Sequence, residues 1–120
     1  MDTDYLLKKR RTYGDKNINH STRKTVKRLY VLVNRKLNPV YGCVQGGHAV
    51  AQWLLDNPEQ TWNNQYLIYL YADIDKWMNR LDECGIKYSV FREPDLNGTV
   101  TALALQEDTG LMFQTLKVVE

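Results

Sequence analysis

The chain of 120 residues is long enough to build one hydrophobic core and too short for two ordinary ones. Its 43% apolar and 25% charged residues are typical of a globular protein, and no apolar run approaches the roughly 18–20 residues of a membrane span. The net charge of +2 conceals an asymmetry: residues 1–28 carry nine Lys/Arg against three Asp, a net of +6, whereas residues 29–120 carry seven Lys/Arg against eleven acids, a net of −4.

The basic character therefore belongs to an N-terminal arm, residues 1–27, and not to the domain expected over residues 28–120. The arm contains Lys8-Lys9-Arg10-Arg11 with no apolar stretch after it, so it does not read as a secretory signal. It lacks sustained periodicity, with room for a short helix near Tyr5–Arg11. Such a cationic segment either attracts phosphate backbones through counterion release or is a plain solvated leader. Cys43 and Cys84 are too few for a disulfide framework and match no zinc spacing, so the expected setting is reduced and cytoplasmic, with no metal or other cofactor.

In chain order, Leu29-Tyr30-Val31-Leu32-Val33 is a continuous β-prone run suited to a strand buried on both faces. Asn38-Pro39 breaks the chain, and Cys43 to about Asn57 reads as a helix ended by Pro58. Gln65 to Tyr71 is a second strand, aromatic and β-branched. Asp73 caps the next helix, whose apolar residues Ile74, Trp77, Met78 and Leu81 lie on one face, and Gly85 sits where a left-handed terminator is wanted. Tyr88–Phe91 and Thr99–Leu105 are two more strands, joined as a hairpin through Leu96-Asn97-Gly98. A short helix near Gly110–Gln114 and a last strand over Leu116–Val119 close the chain. Alternating strands and helices predict a mixed, mostly parallel sheet of four to five strands with helices on both faces. Ligands of such sheets bind beyond the carboxyl ends of the strands, where the segments Asn34–His48 and Arg92-Glu93-Pro94-Asp95 should meet.

Gly46-Gly47 falls in the first two turns of the predicted helix, and each glycine costs about 0.5–1 kcal/mol there relative to alanine. Either a phosphate or a nucleic-acid terminus approaches the backbone at the helix N-terminus, or the helix packs tightly on the sheet. No lysine follows the glycines, so this is not a phosphate loop. His48 is an acid or base near neutral pH, or an ordinary helical residue. Cys43 and His48 are about 140° apart around a helix, which disfavours a local nucleophile pair. Glu93 and Asp95 bracket Pro94 as a carboxylate pair or as solvated turn acids. The tyrosines 30, 66, 69 and 71 fall within strand patterns and read as packing.

The ordered pattern of Leu29-Tyr30-Val31-Leu32-Val33-Asn34, then Val44-Gln45-Gly46-Gly47-His48-Ala49, resembles the archaeal and eukaryotic-type (second class) peptidyl-tRNA hydrolases. Gln45, His48 and Ala49 match the family's helix motif A-A-Q-C-S-H-A. Phe91-Arg92-Glu93-Pro94-Asp95 and Thr101-Ala102-Leu103-Ala104-Leu105 are similar to its acidic loop and its threonine-containing strand, and Leu116-Lys117-Val118-Val119 to its terminal strand. The resemblance spans about Arg28 to Val119. It implies that family's α/β fold and metal-free cleavage of the ester joining a peptide to the tRNA 3′ end. The catalytic residues it implies are His48, Glu93, Thr101 and Gln45. Asn34, Lys36, Gly46, Gly47, Arg92 and Asp95 would bind substrate. The family's lysine before the helix motif falls at Tyr41 or Gly42 here, and its acidic loop is shortened. The same scaffold therefore also suits a non-catalytic holder of RNA, a nucleotide or a protein. The expected partner is tRNA or another nucleic acid or nucleotide, aided by the arm, with no membrane; a homodimer is open.

Overall fold

The computed structural model describes residues 26–120; the basic arm up to residue 25, with the short helix expected near Tyr5–Arg11, lies outside the described residues. Four strands and two helices alternate: β1 (Arg28–Asn34), α1 (Pro39–Asp56), β2 (Tyr66–Ala72), α2 (Ile74–Glu83), β3 (Ser89–Glu93) and β4 (Thr99–Glu107). Short 3₁₀ turns cover Pro94–Leu96 and Leu111–Phe113. The sheet order is β2-β1-β4-β3. β1 pairs parallel with β2, but β4 is antiparallel to both its neighbours, β1 and β3. The expectation of a mostly parallel sheet is thus corrected. β1, β2 and β3 share a direction, yet the returning β4 is inserted between two of them, so a single pair is parallel. The cause is the β3–β4 hairpin, whose second strand enters the centre of the sheet.

The two helices cover opposite faces. Leu29, Val31 and Val33 of β1 and Ala102 and Ala104 of β4 form a core with Ala49 and Trp53 of α1. The intervening residues Tyr30, Leu32, Leu103 and Leu105 face Ile74, Trp77 and Leu81 of α2. This is why β1 lacks polar alternation: both of its faces are buried, as the apolar run predicted. Each fully buried aliphatic or aromatic side chain contributes about 1.5–3 kcal/mol of transfer free energy.

The predicted helix over Cys43–Asn57 begins four residues earlier. Asn38 accepts a hydrogen bond from the Tyr41 amide at 2.8 Å, and Pro39 occupies the first turn, where a missing N–H costs nothing. The dipeptide that reads as a break is the start signal of α1. The second helix forms as predicted, with Asp73 accepting from the Lys76 amide and Gly85 left-handed at φ +67°. The predicted terminal strand is reduced to one antiparallel bridge, Leu70 to Val118, with the Tyr71 amide donating to the Lys117 carbonyl and the Val119 amide to the Tyr69 carbonyl. These bonds cover the outer edge of β2. No helix among the described residues is long and apolar enough to cross a membrane.

Candidate functional site

The carboxyl ends of β1, β2 and β3 lie at one edge of the domain, and the chain between β1 and α1 is only four residues long there. Asn34 turns the chain: its Oδ1 accepts from the Lys36 amide at 3.0 Å and its carbonyl from the Leu37 amide. Arg35, Lys36 and Asn34 then line a cleft of ≈ 490 Å³ with Asp73, Arg92 and Thr99, among others. Three of the residues expected to bind substrate, Asn34, Lys36 and Arg92, therefore meet, on the side of the sheet that α2 covers. Arg35 Nη2 lies 3.7 Å from Asp73 Oδ2, and Arg92 donates to the Gly98 carbonyl at 3.3 Å. The Lys36 ammonium is exposed and makes no hydrogen bond or ion pair with any described residue. A hollow of similar size at the opposite end of the sheet is lined by Asp56, Glu59 and Lys87 and contains none of the residues singled out from the sequence.

The other candidates gather on the α1 side. A β-bulge falls between Phe91 and Arg92 of β3: Phe91 pairs with Ala102 but Arg92 with Val100, leaving Thr101 of β4 as the extra residue. The bulge changes the phase of β4. Val100 packs on the α2 side and Ala102 on the α1 side, and Thr101 joins the latter. Its hydroxyl donates to Gln45 Oε1 from α1, and both residues are buried, at 1% and 2% exposure. A buried hydroxyl and a buried amide thus satisfy each other across 56 residues of sequence, and no described buried side-chain polar atom is left without a partner. So shielded, the pair fixes α1 on β4 and does not face solvent.

One turn along α1, His48 lies on the surface with its imidazole stacked on Phe91, centroids 4.5 Å apart and planes inclined by 14°. No described residue hydrogen-bonds the ring, which leaves its nitrogens to water or a ligand. Glu93 follows Phe91 by two residues, and the period of two places it on the same face of β3. It pairs with Thr99 in the sheet and is half-buried. Asp95 is exposed in the 3₁₀ turn.

The glycine pair does not sit at the helix N-terminus. With α1 starting at Pro39, Gly46 and Gly47 occupy its third turn, out of reach of the free amides of the first. A Cβ on Gly46 would lie 3.0 Å from Cδ2 and Cζ of Tyr69, and closer still to Cε2, so the packing account holds there. Gly42, one turn earlier, is held against Val33 in the same way, at 2.8 Å. A Cβ on Gly47 would meet no atom of the described residues within 4 Å. Burial pushes the Tyr69 phenol up, and the Cys43 thiol beside it acts in the same direction.

Three residues absent from the sequence reading of the site belong to it: Phe91, which backs His48, and Arg35 and Asp73 in the cleft. Arg35 lies within the Asn34–His48 segment to which the carboxyl-end rule points, though no residue-level signal singles it out. No group of three or more His, Cys, Asp or Glu among the described residues could hold a metal ion.

No protein-family model matches the chain, and no curated protein matches it. Among solved structures it is similar to the protein of unknown function Atu0240 from Agrobacterium tumefaciens str. C58. The TM-score is 0.60 and the identity 13%, over 79% of this chain and 98% of that one. The likeness is one of fold: a small α/β domain with a four-stranded mixed sheet and two helices.

Proposed function

We propose that the domain is a peptidyl-tRNA hydrolase-like esterase that cleaves the bond between a peptidyl group and the 3′ end of tRNA without a metal. The observation that carries this reading is the meeting of the two distant segments that resemble that family. Gln45 and His48 of α1 lie against Thr101 and Phe91 of the hairpin, one pair by hydrogen bond and the other by stacking. Ester hydrolysis needs a base for water and an anchor for the polyanionic end of the substrate. His48 takes a proton as water attacks the acyl carbon; the acyl–oxygen bond breaks, and the ribose oxygen leaves with that proton. Glu93 lies on the same face of β3 as Phe91, beside the stacked ring. Gln45 and Thr101 act as positioning residues, and Lys36 with Arg92 meets phosphate in the neighbouring cleft.

The test is hydrolysis of an N-blocked aminoacyl-tRNA by the full chain. Wild type should release free tRNA, and His48→Ala should lose about 10²–10⁴-fold in rate. A wild-type chain that leaves the substrate uncut beside an active control would sink the proposal.

A second reading, a non-catalytic RNA-end binder on the same scaffold, is favoured by one observation. Lys36 and Arg92 line the α2-side cleft, and neither makes an ion pair with Glu93 among the described residues. That reading expects binding without turnover, weakening with salt as phosphate contacts dictate.

A further inference from the structure

The seven Lys/Arg of residues 29–120 are not scattered over this acidic domain. Five of them, Arg35, Lys36, Lys76, Arg92 and Lys117, line two adjoining clefts of ≈ 490 and ≈ 480 Å³, whereas only two of its eleven acids, Asp73 and Asp75, do so. The clefts share Arg35 and Asp73 and so meet at that ion pair. Asp73 is already engaged, since it also accepts from the Lys76 amide as the cap of α2. All five cations are exposed, and the ammonium groups of Lys36, Lys76 and Lys117 make no hydrogen bond or ion pair with any described residue. The two lobes follow the carboxyl edge of the sheet. Arg92 enters the first from β3, while Lys76 and Lys117 enter the second, from the first turn of α2 and from the segment bonded to the outer edge of β2. From β3 to that segment are four interstrand steps, about 19 Å in all.

We infer that the two lobes form one track for the phosphate backbone of a nucleic-acid duplex, with Lys76 and Lys117 as a second phosphate site beyond that of Lys36 and Arg92. The first lobe is the phosphate cleft of the function proposed above, and the inference rests on that reading there; the second lobe goes beyond it. One strand of a duplex carries a phosphate about every 3.4 Å of axis, so a track of this length meets about five of them, and cations recur along it. A free phosphate or a mononucleotide would engage one lobe and leave the cations of the other unmatched. No aromatic residue lines the first lobe. At the second, Tyr71 packs on the α1-side core and Trp77 is buried in the α2-side core, so neither ring is free to stack an unpaired base. Asn34 and Thr115 add neutral groups of the kind that hold phosphate oxygens. Such contacts read the backbone and carry no base sequence.

Fluorescence anisotropy of the full chain with a labelled, non-acylated RNA hairpin tests this, read between about 50 and 200 mM salt. For wild type, log K should fall linearly with log salt. Lys76→Gln/Lys117→Gln should flatten that slope by about 1 for each lysine and weaken binding about 100-fold near ~0.1 M salt, at an unchanged melting temperature. The basic arm is present in every variant, so differences between variants isolate the lobe. Lys87→Gln, which removes the same charge at the opposite end of the sheet, should keep the wild-type slope. A wild-type chain that leaves the hairpin unbound overturns the inference, as does a double variant with the wild-type slope. Equal losses in Lys87→Gln and Lys117→Gln also overturn it, since net charge would then be the cause. Polyglutamate that competes as well as the RNA at equal charge overturns it too, and assigns the track to an acidic polypeptide. The hairpin holds no ester, so the two proposals fail separately. A chain that binds it along the track but cuts no acylated RNA refutes the esterase reading alone; one that cuts, yet keeps its slope without the two lysines, refutes the track alone.

Discussion

Gly46 and Gly47 are chemically identical neighbours in one helix, and the packing around them demands opposite responses to the same substitution. Alanine at either position gains about 0.5–1 kcal/mol of helix propensity. At Gly47 no described residue opposes that gain, because a Cβ there meets none of their atoms within 4 Å. At Gly46 the Cβ enters the ring of Tyr69, which is anchored in β2 and packed against the α1-side core. Forcing a methyl into a packed site costs about 1–3 kcal/mol. The propensity gain is common to both variants, so their difference isolates the steric cost. For a domain of this size 1 kcal/mol moves the melting temperature by about 4–8 °C, and Gly46→Ala should melt at least about 4 °C below Gly47→Ala. Fluorescence-monitored melting at submicromolar concentration keeps self-association out of the measurement. Replacing Tyr69 by leucine removes the ring, so Gly46→Ala should be less harmful in that background. If Gly46→Ala melts at or above Gly47→Ala, or if the loss is unchanged in the leucine background, the packing account of Gly46 fails.

Thr101→Val keeps the volume of the side chain but leaves the buried Gln45 carbonyl without its donor. Urea denaturation should show a loss of about 1–3 kcal/mol, and pairing the change with Gln45→Leu should cost less than the sum of the two single changes. At the far end of α1, Ser89 donates to Asp56 Oδ2 at 2.7 Å and Gln52 donates to Oδ1; these bonds, Ser89's first, hold the Asp56 carboxyl below its ordinary range. A depressed carboxylate pKa adds stability above the unfolded value of about 4, and that stability is lost as pH falls through the folded value. Ser89→Ala should therefore cost about 1 kcal/mol at neutral pH, and the gap from wild type should narrow on acidification. An equal gap at neutral and acid pH, read from urea midpoints, would show that the bond is not linked to Asp56 ionisation.

How much of this was legible in the sequence depended on whether a signal was local. The continuous apolar run at Leu29–Val33 announced a strand buried on both faces, because such a strand has no side left for polar residues. Asp73, the Ile74-to-Leu81 stripe and Gly85 located α2, because a cap, a face and a terminator all act within a few residues. The start of α1 was misplaced because Asn-Pro carries two meanings. It ends a helix that precedes it and begins one that follows, and only the hydrogen bond from the Tyr41 amide to Asn38 decides between them. The place of β4 in the sheet was not legible, since the pairing of a hairpin's second strand with β1 depends on contacts some 70 residues apart.

The bulge was the least legible feature, and it has the largest consequence for the site. Read by strict alternation, Thr-Val-Thr-Ala-Leu-Ala-Leu places Thr101 with Leu103 and Leu105, under α2 and away from Gln45. One extra residue opposite the Phe91–Arg92 step reverses this and brings the hydroxyl to α1. On β3, the step that sets the register also separates neighbouring functions. Phe91 backs His48 on one side of the sheet, while Arg92 lines the cationic cleft on the other. A ligand that uses both must pass around the carboxyl edge of the strands, with its acyl or base portion near His48 and a phosphate near Lys36. A compact nucleotide lying wholly within the cleft would leave His48 untouched. On the function proposed above, the substrate is therefore an extended one, an RNA terminus carrying an acyl group, and not a small molecule held on one face.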